Sequence, residues 1–463
     1  MIGVCYPDKY AVEETFQLFK VPWEWYQSGR QYDVVIARKA DVPDYTGNLI
    51  DLTGNDILRK ISDLLNVGQS HLHEPACEIM VDQIRQDLKK YTILVEIPPA
   101  PWEHPYMVAL THDVDVTSVR ECRLVTAGYA AFQCFIHGNI RAGLQLLLAR
   151  YGIGTDPWVL FERWKTFEKE LDVRSTFFFV PRKDDPGVRA HPYRAVGYGI
   201  DADTLHGLTR GGWEVGVHGI DNWVDAETGK LEMAAVGNGA TGNRTHWLLF
   251  DKDSWEKLDE AVYSYDTTLG YNDDVGFQAG TLQVYRPKGT SNILELPLHI
   301  QDLGLFGKFC WAPVDQRWEK TPCLNLDKTA ARMQCKEIVD YAQKYGGAIT
   351  ILWHYENLTP PRDWSGMYTE LVKRARADGA WVTTAGNVVE WFEARRKITI
   401  ALFQDTKKIT IQIQNLNRSI EPSLRVRLHV DPSLISHVDG DYVRGDTYID
   451  IRCVKPELSV ILR

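Results

Sequence analysis

Eight cysteines are scattered along the chain, and none forms a Cys-x-x-Cys pair. That spacing argues against a thiolate zinc site and for reduced, mostly buried thiols in a cytoplasmic protein. Positive charge is in deficit: 52 Lys and Arg against 62 Asp and Glu give a net charge of −10. A basic face for nucleic acid is therefore not expected. No apolar run approaches the length of a membrane span. The start, Met1-Ile-Gly-Val-Cys-Tyr-Pro-Asp8, lacks the basic residues and long apolar stretch of a signal peptide. Internal repeats and low-complexity tracts are missing too. What remains is ordinary for a globular protein, 44% hydrophobic and 25% charged over 463 residues, with 15 Trp and 21 Tyr. That length suggests about two to four domains.

Residues 1–100 read as a small α/β domain. Asp33-Val-Val-Ile-Ala37 and Tyr91-Thr-Ile-Leu-Val95 are short strands, and Asn55 to Leu65 and Glu78 to Lys90 carry helical spacing. Pro98-Pro-Ala-Pro101 ends this unit. From 101 to 395 strands and helices alternate. Strands are expected at Met107–Thr111, Ser175–Val180, Trp213–Val217, Leu294–Leu298 and Ala348–Trp353. Helices are expected between them, at Pro157–Leu171, Asp203–Thr209, Ser254–Val262, Ala330–Tyr345, Met367–Ala377 and Val388–Arg395. Repeated βα units imply a parallel sheet or barrel. Residues 396–463 alternate polar and apolar positions, as in Lys408-Ile-Thr-Ile-Gln-Ile413, and predict a β-sandwich module.

Chemistry on such a scaffold collects at the C-terminal ends of the strands. The first strand ends in Asp113-Val-Asp115. With a side-chain period of two, both carboxylates point to one face. That is costly unless a positive charge lies near, and a metal ion is the usual solution, with one carboxylate as ligand and the other as base. His112 faces the opposite side and reads as structural. Other strand ends supply Glu214-Val-Gly-Val-His218, Arg244-Thr-His246 and His354-Tyr-Glu356.

The order of these motifs resembles the polysaccharide deacetylase family (the NodB-homology domain). Asp113-Val-Asp115, Ser175-Thr-Phe-Phe-Phe-Val180, Glu214-Val-Gly-Val-His218, an Arg-containing motif at Arg244 and a late strand ending at His354 carry the likeness, over about Pro101 to Arg395. The resemblance implies a distorted (β/α) barrel and metal-dependent deacetylation of an N-acetylated sugar. It implies Asp113 as catalytic base, Asp115 and His218 as metal ligands, Arg244 as the residue orienting Asp113, and His354 as general acid.

One departure matters. The family places a second metal histidine four residues after the first, and here Asn222 stands there. Either His246 supplies the missing imidazole, which is the expectation, or metal binding is weakened and the domain no longer hydrolyses. Asp221 is a weaker candidate ligand, and Asp302 a candidate to orient His354. The same residues have structural readings: a metal-free ion pair for Asp115 and His218, a salt bridge for Arg244, a strand cap for His354. An Asp-His-His set leaves open positions for water and substrate, and its ligand mix suits zinc. The expected substrate is a carbohydrate of a surface polysaccharide or its precursor. An amidohydrolase on a small non-sugar amide, or a dead barrel serving as a glycan-binding scaffold, are the alternatives. Two long loops, Arg182 to Arg194 and Tyr265 to Phe277, are candidates to cover the substrate.

Overall fold

The computed structural model describes residues 1–69, 71–191, 194–314 and 317–463. The first segment forms a parallel sheet of β1 (Ile2–Cys5), β2 (Trp23–Trp25), β3 (Val34–Ala37) and β4 (Leu49–Asp51), in the order β2-β1-β3-β4. Helices Lys9–Leu18, Ile57–Val67 and Ala76–Leu88 cover it. The strand expected at Tyr91–Val95 is β5 (Leu94–Glu96), and it does not join this sheet. It pairs antiparallel with a strand of the tail, Leu428 opposite Val95.

The central sheet contains β6 (Met107–Val114), β7 (Thr176–Phe179), β8 (Glu214–Gly219), β9 (Gly242–Thr245), β10 (Tyr265–Asp266), β11 (Leu294–Glu295) and β12 (Ile300–Gln301). A hairpin, β13 (Phe309–Val314) and β14 (Arg317–Pro322), projects from it. β15 (Ala348–Leu352) and β16 (Trp381–Thr383) complete it. The order is β11-β10-β9-β8-β7-β6-β15-β12, with β16 also on β6, and every pairing is parallel. Helices such as Phe161–Glu170, Ala202–Arg210, Lys328–Tyr345 and Ser365–Ala377 fill the connections.

The sheet closes on itself through one segment. Of the strand expected at Leu294–Leu298 only β11 forms, and β12 follows beyond its end, because the segment changes neighbours midway. Leu296 N–H donates to the Asp266 carbonyl at 2.8 Å, and His299 N–H donates to the Thr350 carbonyl at 3.2 Å. The helix expected from Pro157 starts only at Phe161. Asp156 Oδ1 accepts the N–H of Trp158 at 2.9 Å, which holds Pro157 in an Asx turn.

Inner strands with no solvent face need apolar runs, and β6 and β7 are buried at every position. Close packing explains one motif glycine. A Cβ on Gly216 would lie 2.5 Å from the Phe178 ring, so only glycine lets β8 pass it. Glu214 works at the other end of β8. It accepts from Thr176 Oγ1 at 2.6 Å, Tyr265 OH at 2.8 Å and Gly386 N–H at 2.8 Å, pinning the helix Ala385–Lys397 under the barrel.

His112 faces away from the cleft, into the outer core. Its Nδ1 meets the Trp353 carbonyl at 2.6 Å and its Nε2 meets Glu168 Oε1 at 3.0 Å. Both ring nitrogens thus have a buried polar partner. Glu168 also accepts from Ser175 Oγ, Trp213 Nε1 and Tyr368 OH, so one carboxylate gathers three helices and strands around β6.

After the barrel come β17 (Thr399–Gln404), β18 (Lys408–Gln414), β19 (Arg425–His429), β20 (Ile435–Val438), β21 (Tyr442–Arg444), β22 (Ile449–Arg452) and β23 (Glu457–Leu462). They form two four-stranded sheets, β17-β18-β23-β20 and β21-β22-β19-β5. Ile409, Ile411, Val426, Leu428, Ile449 and Val460 lie in one shared core.

Removing Glu168 leaves buried groups of His112, Ser175, Trp213 and Tyr368 without their shared partner. Glu168→Ala is expected to cost about 3–5 kcal/mol in urea unfolding; a loss below about 1 kcal/mol would show that this carboxyl does not support the fold. Glu78 gives a pH signature. Burial pushes its carboxyl up to about 7, against hydrogen bonds from Thr281 Oγ1, the Leu282 N–H and Gln283 Nε2. The unfolded value is about 4.3. Because the folded value is the higher one, the fold holds the proton more tightly. Its contribution is therefore full below about pH 4.3 and is lost as the pH rises to about 7. In Glu78→Gln that decline should be missing from a plot of unfolding free energy against pH.

Candidate functional site

The cleft opens where β6, β8, β9, β12 and β15 end. Asp113 is the last-but-one residue of β6 and Asp115 follows the strand; His218 lies in β8, Arg244 in β9, and His246 just beyond β9. His354 follows β15 and Asp302 follows β12. Asp113, Asp115, His218, His246 and His354 line one cavity of about 350 Å³. Arg244 stands behind Asp113, fully buried.

Asp115, His218 and His246 place one ligand atom each within 4.8 Å of one another, the metal-competent group of this kind among the described residues. Asp115 Oδ1 lies 3.4 Å from His218 Nε2 and 3.3 Å from His246 Nε2. That oxygen is buried and accepts no hydrogen bond. The His218 Nδ1 faces the Arg244 carbonyl at 2.8 Å, which requires an N–H there and leaves the Nε2 lone pair directed at Asp115. A buried oxygen without a donor and two imidazole nitrogens around one space fit a divalent cation.

The charges are divided unequally. Burial opposes ionisation of Asp115, but His218 and His246 beside it hold its carboxyl well below the usual range. Burial pushes His246 down to about 4 despite Asp115, so it stays neutral at neutral pH. Burial lowers His218 as well, yet its value is raised overall. The difference is physical: His218 Nε2 faces Asp113 Oδ2 at 3.6 Å in addition to Asp115.

Asp113 is 2% exposed. Arg244 Nη1 donates to its Oδ1 at 3.1 Å and to Thr111 Oγ1 at 2.7 Å. The rest of the guanidinium is fixed by Thr267, whose carbonyl takes Nε at 3.1 Å and whose Oγ1 takes Nη2 at 3.1 Å. Below lies the Phe178 ring, 4.9 Å from the guanidinium carbon. His354 Nε2 is 3.8 Å from Asp115 Oδ2. Asp302 accepts from His354 Nδ1 at 2.6 Å through Oδ1 and from the His354 backbone N–H at 2.6 Å through Oδ2. Burial lowers the basicity of His354, but the Asp302 carboxylate outweighs it and pushes it up to about 10.

Asn222 is not part of this group. Its Nδ2 donates to Asn243 Oδ1 at 2.6 Å and to Tyr263 OH at 3.3 Å, below the strand ends. Asp221 is engaged elsewhere, accepting from Arg182 Nη2 at 2.8 Å and from the Val188 N–H. It thereby holds the base of the Arg182–Arg194 loop, of which Pro192 and Tyr193 lie outside the described residues. In the Tyr265–Phe277 segment, Asn272 lines the cavity and donates to the Trp247 carbonyl at 2.9 Å, while Tyr271 OH donates to Gln69 at 2.5 Å. The middle of that loop therefore reaches the cleft through Asn272 and the N-terminal segment through Tyr271.

Sequence reasoning missed an aromatic rim. Trp247 packs on Trp318 (5.0 Å) and His191 (5.1 Å), and His191 on Trp311 (4.5 Å). Trp247 and Leu248 both adopt positive φ, 64° and 50°, at the turn that carries His246 into the cleft. The alternating pattern of Phe309, Trp311 and, after the connection, Trp318 and Lys320 was the available hairpin signal. Glu356 and Arg362, paired at 2.7 Å, also line the cavity.

No family model matches the chain, and no curated protein matches it. Among solved structures it is similar to a protein assigned as a polysaccharide deacetylase from Mycobacterium smegmatis, at 19% identity and a TM-score of 0.41, over 67% of this chain and 99% of that one. It is similar to PuuE allantoinase at 12% identity and a TM-score of 0.38, over 64% and 93% of the two chains. A Bordetella bronchiseptica protein assigned as a polysaccharide deacetylase involved in O-antigen biosynthesis is similar at 14% identity and a TM-score of 0.28, over 61% and 83%.

If the Asp-His-His group is a metal site, its ligands and its neighbours separate cleanly. Asp115→Ala and His246→Ala should each lower bound transition metal, measured by inductively coupled plasma mass spectrometry on protein reconstituted with zinc, by at least about tenfold. Asn222→Ala should leave metal content unchanged. Retention of metal by His246→Ala would remove that residue from the ligand set.

Proposed function

We propose that this chain is a metal-dependent deacetylase of an N-acetylated sugar in a surface polysaccharide or its precursor, with Asp115, His218 and His246 holding zinc. One observation carries the reading: two carboxylates and three imidazoles converge at the ends of parallel strands, and each of the two groups flanking Asp115 has its own buried partner. A divalent cation held there would polarise the amide carbonyl and acidify a water molecule.

The chain's own residues divide the proton work. Asp113 is the base. Its Oδ1 is occupied by Arg244, so Oδ2, on the cavity side near His218, takes the proton from the attacking water. His354 is the acid. Asp302 accepts a hydrogen bond from its Nδ1–H, which leaves Nε2–H facing the cavity to protonate the departing amine. Asp113 Oδ2 lies 3.6 Å from His218 Nε2 and His354 Nε2 lies 3.8 Å from Asp115 Oδ2, so both base and acid border the space around the Asp-His-His group.

The rim supports a sugar as the substrate. Trp247 and Trp311 line the cavity, and flat rings suit the apolar faces of pyranoses. An acidic protein with a −10 net charge offers no general attraction to an anionic polymer, which favours a neutral acetamido sugar.

Asp113→Asn should abolish release of acetate from N-acetylated oligosaccharides, to below about one hundredth of the parent rate, while zinc stays bound. Asp302→Asn should lower kcat by about tenfold or more with KM and zinc content little changed, since it positions His354 and touches no substrate. An Asp113→Asn protein that still deacetylates at the parent rate would end this assignment.

A further inference from the structure

Beside the cleft stands a helical hairpin with its residues sorted the wrong way round for water. Helices Leu124–Ile136 and Ile140–Arg150 meet through small side chains, with Ala127, Ala130, Ala131 and Ala149 buried between them. Their large apolar side chains point outward: Leu124, Tyr129, Phe132, Ile136, Ile140 and Leu144 are each between 51% and 62% exposed. Tyr129, Phe132 and Ile136 on the first helix, and Ile140 and Leu144 on the second, recur at three- and four-residue spacing and so share a face of their helix. A hairpin that faces water buries its large residues and exposes its small and polar ones. This one leaves large apolar side chains of both helices more than half exposed, the kind of surface that marks an interaction site.

Charge selects the occupant. No Asp or Glu occurs from residue 122 to residue 155, in a chain with a net charge of −10. The same stretch holds Arg123, Arg141 and Arg150. An apolar face whose second helix carries the exposed Arg141, in a stretch without acid, is complementary to an anionic lipid surface. A second copy would offer this face no acidic partner for its cation, because the same stretch without acid would stand opposite. The longer helix has 13 residues, about 20 Å, short of a hydrocarbon core of about 30 Å, so it suits the plane of the interface rather than a crossing. Among the described residues no helix is long and apolar enough to cross a membrane.

The hairpin is also a wall of the site. Thr126, Tyr129 and Ala130 of its first helix line the cavity that contains Asp115 and His218. We propose that the hairpin Leu124–Ile153 docks this protein on an anionic bilayer, with the cleft opening at headgroup level. Resting on the deacetylase reading, the substrate is then a sugar carried on a lipid anchor.

Vesicle sedimentation tests the docking without reference to catalysis. The full chain should sediment with vesicles of phosphatidylglycerol and phosphatidylcholine, and less with phosphatidylcholine alone. Phe132→Asp combined with Leu144→Asp should reduce the bound fraction by about tenfold or more. The single surface change Arg141→Glu should weaken binding to the anionic vesicles alone, which keeps the test valid if the double variant misfolds. Zinc content and hydrolysis of a short soluble substrate should match the parent in Arg141→Glu. Failure of the parent to sediment with anionic vesicles overturns the docking. So does a lipid-free dimer, seen by analytical ultracentrifugation, that the double substitution dissociates while vesicle binding persists. Vesicle binding by a protein that releases no acetate would leave the docking standing and remove only the substrate.

Discussion

A guanidinium removed from water needs acceptors for its N–H groups, and Arg244 sets the geometry of the cleft through the four it finds. Its partners come from β6, from the turn after β10 and from the ring of Phe178 on β7. Its own carbonyl fixes the tautomer of His218 on β8. One side chain and its backbone thus connect the base, a ligand and four neighbouring strands. The packing beneath follows: Phe178 supports the guanidinium, and Gly216 is small because Phe178 is there. Burial is what makes this arrangement rigid, since a partner lost in the interior is not replaced by water.

The opposite wall depends on a different device. Asp302 follows β12, the second half of the segment that closes the barrel. Its carboxylate receives both the backbone and the ring of His354 and also the side-chain amide of Asn357. The acid side of the cleft is therefore positioned by the closing segment, while the base side is positioned by the middle of the sheet. Asp115 lies between the two, 29% exposed, at the only point where both walls reach the same carboxylate among the described residues.

Much of this was legible in the sequence because it rests on short-range rules. Continuous apolar runs marked β6, β7 and β15, and the polar residues at their ends marked the cleft. Proposing His246 in place of Asn222 drew on the Arg244-Thr-His246 segment and on the family resemblance rather than on an expected strand. What was not legible depends on partners far away in sequence. The strand at Leu94–Glu96 looked like part of the first unit because nothing local says that its neighbour is Arg425–His429. The helices Leu124–Ile136 and Ile140–Arg150 were missed because their apolar residues are not confined to a buried face, which blurs the usual periodic signal. Trp247 could not be read as a strained turn residue, since positive φ in a tryptophan is imposed by its surroundings.

The pairing of β5 with β19 has a consequence for how the chain is made. His429 Nε2 meets Glu96 Oε1 at 2.7 Å, across 333 positions of sequence. During vectorial synthesis the strand Leu94–Glu96 emerges long before its neighbour exists. A segment of such high contact order forms late, because loop closure over that span must precede any reward from its hydrogen bonds. Until then Val95 and Ile97, wholly buried in the finished protein, are an exposed edge. The last sheet is thus a latch that shuts only when translation has delivered the tail, and a nascent chain halted inside the barrel would carry an open strand available to chaperones or to aggregation.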